Sequence, residues 1–111
     1  METDKTISHT GLRRKINEDF SGQMHADKIS VYVICDGMGG HAKGDIASQN
    51  ACETFIETYN SLLSSSINEA LAKSIENANS KVYELSLQDE GSKGMGTTLV
   101  AAVIFANKLY Y

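Results

Sequence analysis

A short apolar run that ends in an acidic residue and a glycine turn constrains this chain most strongly. The run Val31–Cys35 is typical of a buried strand, and the residues after it are Asp36-Gly37-Met38-Gly39-Gly40-His41. Such a strand places the Asp36 carboxylate at the open edge of a sheet. Gly37 can turn its carbonyl outward because it has no Cβ. Carboxylate and carbonyl oxygens are the donors that hard divalent cations prefer, although a lone Asp-Gly is more often a solvated turn.

Two further segments decide between these interpretations. The first contains a basic cluster followed by two adjacent carboxylates and reads Gly11-Leu12-Arg13-Arg14-Lys15-Ile16-Asn17-Glu18-Asp19. Taken alone, Asn17-Glu18-Asp19 is more often a polar turn, but the combination suits a site that holds both cations and phosphate. The second segment is Gly94-Met95-Gly96-Thr97-Thr98-Leu99, in which small residues lead into an apolar strand. We interpret this second segment as packing and scaffold.

In this order and at these separations, the three segments resemble the metal-dependent serine/threonine protein phosphatases of type 2C, most closely the bacterial branch. The matching residues are Gly11, Arg14, Asn17-Glu18-Asp19, Asp36-Gly37-Met38-Gly39-Gly40-His41, Gly44, Ala47-Ser48 and Gly94-Met95-Gly96-Thr97-Thr98-Leu99. Two departures stand out. His9-Thr10 precede Gly11 where the family often has Asp, and the chain stops before the Gly-Asp-Ser-Arg hairpin and the acidic metal ligands beyond it.

The resemblance implies an α+β fold, a four-layer α-β-β-α sandwich of two β-sheets flanked by helix pairs. Residues 1–111 would be the N-terminal part of a single such domain, with two helices packed on antiparallel β-sheet. The implied activity is hydrolysis of phosphoserine and phosphothreonine in proteins by a water molecule that two Mn²⁺ or Mg²⁺ ions activate.

The resemblance also assigns roles to individual residues. Asp36 would bridge the two cations, and the Gly37 carbonyl would bind one of them. Glu18 and Asp19 would bind metal directly or through water molecules. Asp36 and Asp19 thereby belong to the catalytic set.

Arg14 completes the catalytic set, because a guanidinium fork suits two phosphate oxygens. His41 would either act as general acid toward the leaving oxygen or fix the loop. The partners implied are phosphoprotein substrates and a serine/threonine kinase whose action the phosphatase opposes.

A second interpretation stays open. Because the downstream acidic ligands are missing from these 111 residues, the chain could be a catalytically inactive fragment or a metal-binding interaction module. A nucleotide-binding loop over residues 91–98 is excluded, because its glycines precede a strand whereas a P-loop follows one.

Composition narrows the function classes. The chain has 111 residues, 41% of them hydrophobic, and a formal net charge of −4, which fits one small domain and argues against general nucleic-acid binding. It contains no apolar run long enough to span a membrane, and its polar start does not resemble a signal peptide, so we expect a cytoplasmic protein. Cys35 and Cys52 are expected to be reduced residues of the core.

Periodicity predicts alternating strands and helices. Strands are expected over residues 5–10, 19–25, 31–35 and 97–105, and Leu109–Tyr111 would begin a returning strand. A first helix opens at Gly44 and carries the apolar face Ala47, Ala51, Phe55 and Tyr59. A second helix starts at a capping box of Ser66 and Glu69 and carries the core stripe Ile67, Leu71, Ile75, Ala78, Val82 and Leu85.

The last two strands carry specific expectations. Residues 97–105 are apolar on both faces, which predicts a central strand. The strand from Leu109 would present an exposed edge, which predicts self-association through that edge or marginal stability.

Overall fold

The computed structural model describes residues 7–14, 19–38, 41–88 and 95–111, with side chains described over 20–37, 43–88 and 95–111. These residues form five strands and two helices. In chain order they are β1 (Ile7–Arg14), β2 (Asp19–Ala26), β3 (Ile29–Met38), α1 (His41–Ser61), α2 (Ile67–Ser86), β4 (Gly96–Phe105) and β5 (Lys108–Tyr110).

All five strands belong to one antiparallel sheet whose spatial order follows the chain, β1-β2-β3-β4-β5. The two helices are inserted between β3 and β4 in sequence and form one layer. Helix α1 packs against β2, β3 and β4, whereas α2 packs against α1 and β4. The predicted α+β fold with two helices on an antiparallel sheet is therefore confirmed.

Strand alternation decides which side chains enter the core. Val31, Val33 and Cys35 are fully buried beneath the helices, whereas Tyr32 and Ile34 lie on the opposite face and are exposed. Successive strand residues point to opposite faces, so a single run supplies both surfaces. The helical side of the core contains Ala47, Ala51, Cys52, Phe55, Ile56, Tyr59, Ala70, Leu71, Ala78 and Val82.

Two strands extend three or more residues beyond their predicted ends. Strand β1 extends to Arg14, with a register shift between His9 and Gly11, because a bulge lets the strand continue through the glycine. Strand β3 extends to Met38, past the predicted glycine turn. It continues because Gly37 and Met38 keep pairing with β4. Residues 5 and 6 of the first predicted strand lie outside the described residues.

Both helices contain the predicted apolar faces, with two differences. Helix α1 begins at His41, three residues before the predicted start at Gly44. In α2, Ser66 is the N-cap and its hydroxyl accepts a hydrogen bond from the Glu69 amide at 3.1 Å, as predicted. Ile75 belongs to the predicted core stripe but is 46% exposed, which differs from the prediction.

Strand β4 is paired on both edges, to β3 and β5, so its predicted place inside the sheet is confirmed. The expected burial on both faces is not found within the described residues. Val100 is 66% exposed, whereas Val103 is fully buried on the helical face. One face of this sheet therefore has no covering layer in the part of the chain that the structure describes.

No helix among the described residues is sufficiently long and apolar to cross a membrane. Cys35 and Cys52 are free thiols buried in the core, as predicted. Hydrogen bonding with Cys35, together with burial, raises the pKa of the Cys52 thiol well above its ordinary value. This thiol therefore stays protonated, which makes it an unreactive core residue.

The end of β3 lies against the first turns of α1 at unusually close range. A Cβ added to Gly37 would lie 2.6 Å from the carbonyl carbon of Gly44 and 2.8 Å from its Cα, and closer still to its carbonyl oxygen. The Ser48 hydroxyl donates to that same Gly44 carbonyl at 2.8 Å in a buried position. Only a glycine at position 37 leaves room for this backbone contact.

The Gly37→Ala substitution is therefore expected to lower the free energy of unfolding by about 2–4 kcal/mol, because backbone atoms must move to admit the methyl group. Urea denaturation followed by circular dichroism measures this change. The control is Thr98→Ala at the same end of the sheet, where the side chain is exposed and a change below about 1 kcal/mol is expected. An equal effect of both substitutions would contradict the close contact.

A second prediction concerns Ser74 in α2. Its side chain is fully buried, and its hydroxyl has no hydrogen-bond partner among the described residues. A buried unpaired hydroxyl is destabilising, and alanine is also the better helix former.

Ser74→Ala is expected to raise the free energy of unfolding by about 0.5–1.5 kcal/mol. Ser80→Ala on the exposed side of α2 should gain only the helix-propensity part, about 0.5 kcal/mol. Thermal or urea unfolding of the two variants separates these contributions, and a destabilised Ser74→Ala would show that the hydroxyl has a partner in solution.

Candidate functional site

The candidate site lies at the end of the sheet where β3 approaches α1. Asp36 is exposed there, on the sheet face away from the helices. In the strand register it is directly opposite Asp19 of β2 on one side and Thr98 of β4 on the other. Three adjacent strands therefore contribute to one row that contains two carboxylate residues.

This row has an electrostatic consequence. Directly opposed residues of an antiparallel pair share a face, with Cβ atoms about 4.5–5.5 Å apart, and like charges in such positions destabilise the sheet. A bound divalent cation would turn this repulsion into attraction, since carboxylate oxygens are its preferred ligands. The register of Asp19 and Asp36 thus matches the chemistry of a cation site.

The backbone at Asp36 is held from β4. The Thr97 hydroxyl lies 3.1 Å from the carbonyl oxygen of Asp36, to which it can donate, and 2.8 Å from the carbonyl oxygen of Thr98. Thr97 is paired with Gly37, which has no side chain that could block the approach of the Thr97 hydroxyl to the Asp36 carbonyl. The sequence prediction treated this threonine as scaffold only. Its contact with Asp36 spans 61 positions along the chain, and no local sequence signal indicates it.

The backbone at Gly37 is held from the other side by α1. Its contact with Gly44, and the buried hydrogen bond from Ser48 to the Gly44 carbonyl, place the first turns of the helix directly against the Asp-Gly segment. Gly44 and Ser48 were matched in sequence without an assigned role. The structure shows that they brace the strand end from which Asp36 projects.

The basic residues of the candidate site lie at the end of β1. Arg14 is the last residue of that strand and is paired with Phe20, in the row that continues through Cys35. Arg13 is paired with Ser21, in the row that continues through Ile34. Both positions are at the same end of the sheet as Asp36, one and two rows from the Asp19–Asp36 pair.

Several predicted site residues are described only in part or not at all. Glu18 lies outside the described residues, as does the loop of Gly39 and Gly40. His41 is the first residue of α1, three positions along the chain from the end of β3. The side chains of Arg14, Asp19 and His41 lie outside the described part of the structure.

The described side chains supply part of a metal-ligand set. Among them, no group of three or more His, Cys, Asp or Glu residues is close enough together to hold an ion. Asp36 is the predicted carboxylate ligand whose side chain is described, and Gly37 is a predicted carbonyl ligand next to it. The donor types fit a hard divalent cation, and further oxygen ligands are needed to complete its coordination.

Comparisons with known proteins identify the family. The sequence model of the protein phosphatase 2C family matches residues 10–111. A serine/threonine phosphatase from Listeria innocua is 36% identical over 99 residues, which is 85% of this chain and 39% of that protein. The protein phosphatase PhpP of Streptococcus pneumoniae is 32% identical over 114 residues, covering 95% of this chain and 44% of PhpP.

Solved structures give the same result. The serine/threonine phosphatase PstP/Ppp of Mycobacterium tuberculosis superposes with a TM-score of 0.68 and 27% identity, over 94% of this chain and 43% of that one. The serine/threonine phosphatase of S. agalactiae superposes with a TM-score of 0.65 and 33% identity, over 94% of this chain and 45% of that one.

The chain thus spans about two fifths of the relatives it matches, 39% and 44% of the two curated proteins. The match includes the strand that carries Asp36, both helices and the Gly-Met-Gly-Thr-Thr segment. Sequence and fold agree, and this chain belongs to the protein phosphatase 2C family.

Proposed function

We propose that this chain takes part in the hydrolysis of phosphoserine and phosphothreonine in proteins, as the N-terminal portion of a complete protein phosphatase 2C domain. The observation that carries the proposal is the pair of opposed residues Asp19 and Asp36, beside Gly37 at one end of the sheet. The family match and the names of the relatives support the reaction class. Their greater length supports a larger complete domain.

The carboxylate row is the proposed cation site. Asp36 would contact two ions, the Gly37 carbonyl would bind one of them, and Asp19 and Glu18 would bind directly or through water molecules. Two Mn²⁺ or Mg²⁺ ions would offset the charge of the phosphate dianion and lower the pKa of a bound water molecule. The role of the chain is to hold these oxygens rigidly, which the contacts of Asp36 with Thr97 and of Gly37 with Gly44 favour.

The end of β1 is the proposed phosphate-binding position. Arg14 would bind two phosphate oxygens through its guanidinium fork and so orient the substrate toward the carboxylate row. His41, at the start of α1, would either donate a proton to the leaving seryl or threonyl oxygen or fix the loop before the helix.

The partners follow from this chemistry. Substrates would be phosphoproteins, in a pathway where a serine/threonine kinase adds the phosphate, and the protein would act in the cytoplasm.

Self-association through the edge of β5 would involve only three residues, one of which is Lys108. Short edge strands that carry lysine pair poorly, so this edge is a weak association surface.

A second candidate function is a metal-binding interaction module without turnover. The exposed Asp36 carboxylate beside the Gly37 carbonyl supports cation binding, which by itself requires no turnover. Cation binding without hydrolysis of a phosphate ester would distinguish this module from an enzyme.

The Asp36→Asn substitution tests the cation site. Because it removes a negative charge and an oxygen ligand, we expect Mn²⁺ affinity to fall at least about ten-fold. Titration of Mn²⁺ followed by electron paramagnetic resonance measures the affinity. The matched control is Asp27→Asn, in the exposed β2–β3 turn at the opposite end of the sheet, where affinity should stay unchanged. Equal affinities of wild type and Asp36→Asn would refute the assignment.

Hydrolysis of para-nitrophenyl phosphate by the same three proteins separates the two candidate functions. Mn²⁺-dependent turnover that EDTA abolishes and that Asp36→Asn lacks would support an enzyme. Mn²⁺ binding that depends on Asp36 without measurable turnover would support the interaction module.

The two arginines at the end of β1 form a natural test pair. The family pattern assigns the phosphate to Arg14, one row from the Asp19–Asp36 pair, whereas Arg13 lies two rows away, in the row of Ile34, which is on the same sheet face as Asp36. We expect Arg14→Ala to weaken binding of inorganic phosphate in the presence of Mn²⁺ by about ten-fold or more, as for other hydrogen bonds to a charged group. Arg13→Ala should change it less than about two-fold. Calorimetric titration measures both, and the reverse order would move the phosphate-binding role to Arg13.

A further inference from the structure

We propose that Thr97 is a positioning residue that sets the ion-size preference of the site, so that Mg²⁺ is favoured over Ca²⁺. The inference rests on the proposed cation site at Asp36 and Gly37. It concerns the hydroxyl of Thr97, which contacts the backbone of that site from the neighbouring strand β4.

The Thr97 hydroxyl connects two strands at the level of Asp36. Its oxygen lies 3.1 Å from the Asp36 carbonyl oxygen on β3 and 2.8 Å from the Thr98 carbonyl oxygen on β4. Asp36 and Thr98 are directly paired, so the hydroxyl touches the backbone of both members of one pair. A hydroxyl has a single proton, for which the two carbonyl oxygens are alternative acceptors. The branched Cβ of threonine restricts rotation about χ1 and keeps the hydroxyl in this position.

Thr97 acts on the site through the backbone. Side chains alternate between the two faces of a strand, so Thr97 lies on the same face as Val103, which is buried under the helices. Asp36 is paired with Thr98 and therefore projects from the other face. A cation held by the Asp36 carboxylate would lie across the sheet from the Thr97 hydroxyl. This geometry makes Thr97 a positioning residue and not a ligand.

Two contacts fix the adjacent oxygen donors of the proposed site. Thr97 holds the Asp36 carbonyl from β4, and the backbone of Gly37 lies against Gly44 of α1. The Gly44 carbonyl accepts a buried hydrogen bond from Ser48 at 2.8 Å, which stiffens that support. Because Asp36 and Gly37 are neighbours in the chain and each is held by a different element, the distance between their oxygen donors has little freedom to change.

A fixed distance between oxygen donors discriminates between cations by size. Mg²⁺ binds oxygen at about 2.0–2.1 Å in near-ideal octahedral geometry, whereas Ca²⁺ needs about 2.3–2.6 Å and a more flexible ligand set. Accommodating Ca²⁺ therefore requires the donors to move apart by a few tenths of an ångström. The hydrogen bond from Thr97 opposes that movement at Asp36, so loss of the hydroxyl should improve Ca²⁺ binding relative to Mg²⁺ binding.

Competition against Mn²⁺ tests the proposal on the 111-residue chain. Electron paramagnetic resonance of free Mn²⁺ reports how strongly Mg²⁺ and Ca²⁺ each displace it, which gives the ratio of their dissociation constants. Thr97→Val removes the hydroxyl and keeps the branched shape, and we expect the preference for Mg²⁺ to fall about three- to ten-fold, the range of one hydrogen bond. Thr97→Ser keeps the hydroxyl and should retain at least about half of the wild-type preference.

A matched control removes a hydroxyl from the other end of β3. The Ser30 hydroxyl lies 3.0 Å from His25 Nδ1, and Ser30→Ala should leave the ion preference unchanged. A general loosening of the fold would lower the affinity for both ions together, so the ratio of the two constants reports positioning specifically. Urea denaturation of each variant shows whether it is folded.

Amide hydrogen exchange measures the same contact without a metal. In the metal-free chain, Thr97→Val should speed exchange at residues 36–38 at least about three-fold, because the end of β3 opens more often. Thr97→Ser should change it less than about two-fold.

Three distinguishable results would overturn the proposal. An unchanged ion ratio in Thr97→Val, while Asp36→Asn still weakens Mn²⁺ binding, would leave the cation site standing without this role for Thr97. Unchanged amide exchange in Thr97→Val would show that the hydroxyl does not hold the strand. Mn²⁺ affinity that does not depend on Asp36 would contradict the cation site itself, and the ion-size preference with it.

Discussion

The backbone contact between Gly37 and Gly44 is the constraint on which the site depends. It brings the end of β3 within van der Waals distance of the first turns of α1. Because the same strand carries Asp36, the helix fixes the position of the carboxylate residue through its neighbour. The buried hydrogen bond from Ser48 to Gly44 makes the first turns of the helix a stiffer support. A side chain at position 37 would push the end of the strand away from the helix.

The same region combines a hydrogen bond that holds the backbone with two directly opposed carboxylate residues. Thr97 holds the Asp36 backbone from β4, while the register sets Asp19 directly opposite Asp36. Directly opposed carboxylates weaken a sheet in the absence of a cation, which is consistent with the cation-binding role proposed for this end of the fold. Cys35, next to Asp36 in the strand, is fully buried under α1. The candidate site and the core therefore lie on opposite faces of a single strand.

Much of this arrangement follows from local sequence. The alternation in Val31–Cys35 predicts which side chains are buried, and the 3.6-residue periodicity predicts both helices. The opposition of Asp19 and Asp36 follows from the two-residue turn at Asp27 and Lys28, because no bulge interrupts the pairing of β2 with β3. The extension of β3 to Met38 was not predictable from glycine content, since it depends on pairing with the distant strand β4. The contacts of Thr97 and Gly44 are likewise tertiary and have no local signal.

The burial of β4 on only one face could not be predicted from the sequence, for a physical reason. Its apolar residues on both faces correctly predict a strand inside a sheet, and the register confirms it. The apolar pattern indicates that both faces favour burial. It does not indicate which polypeptide supplies the second layer. Val103 satisfies that preference against the helices, whereas Val100 remains exposed. A sheet with one apolar face in water gains free energy when a second layer packs on it, and sheet-on-sheet packing is the arrangement that a flat apolar face favours. Asp36 lies at the end of that same face, so whichever polypeptide covers the face also forms the surroundings of Asp36.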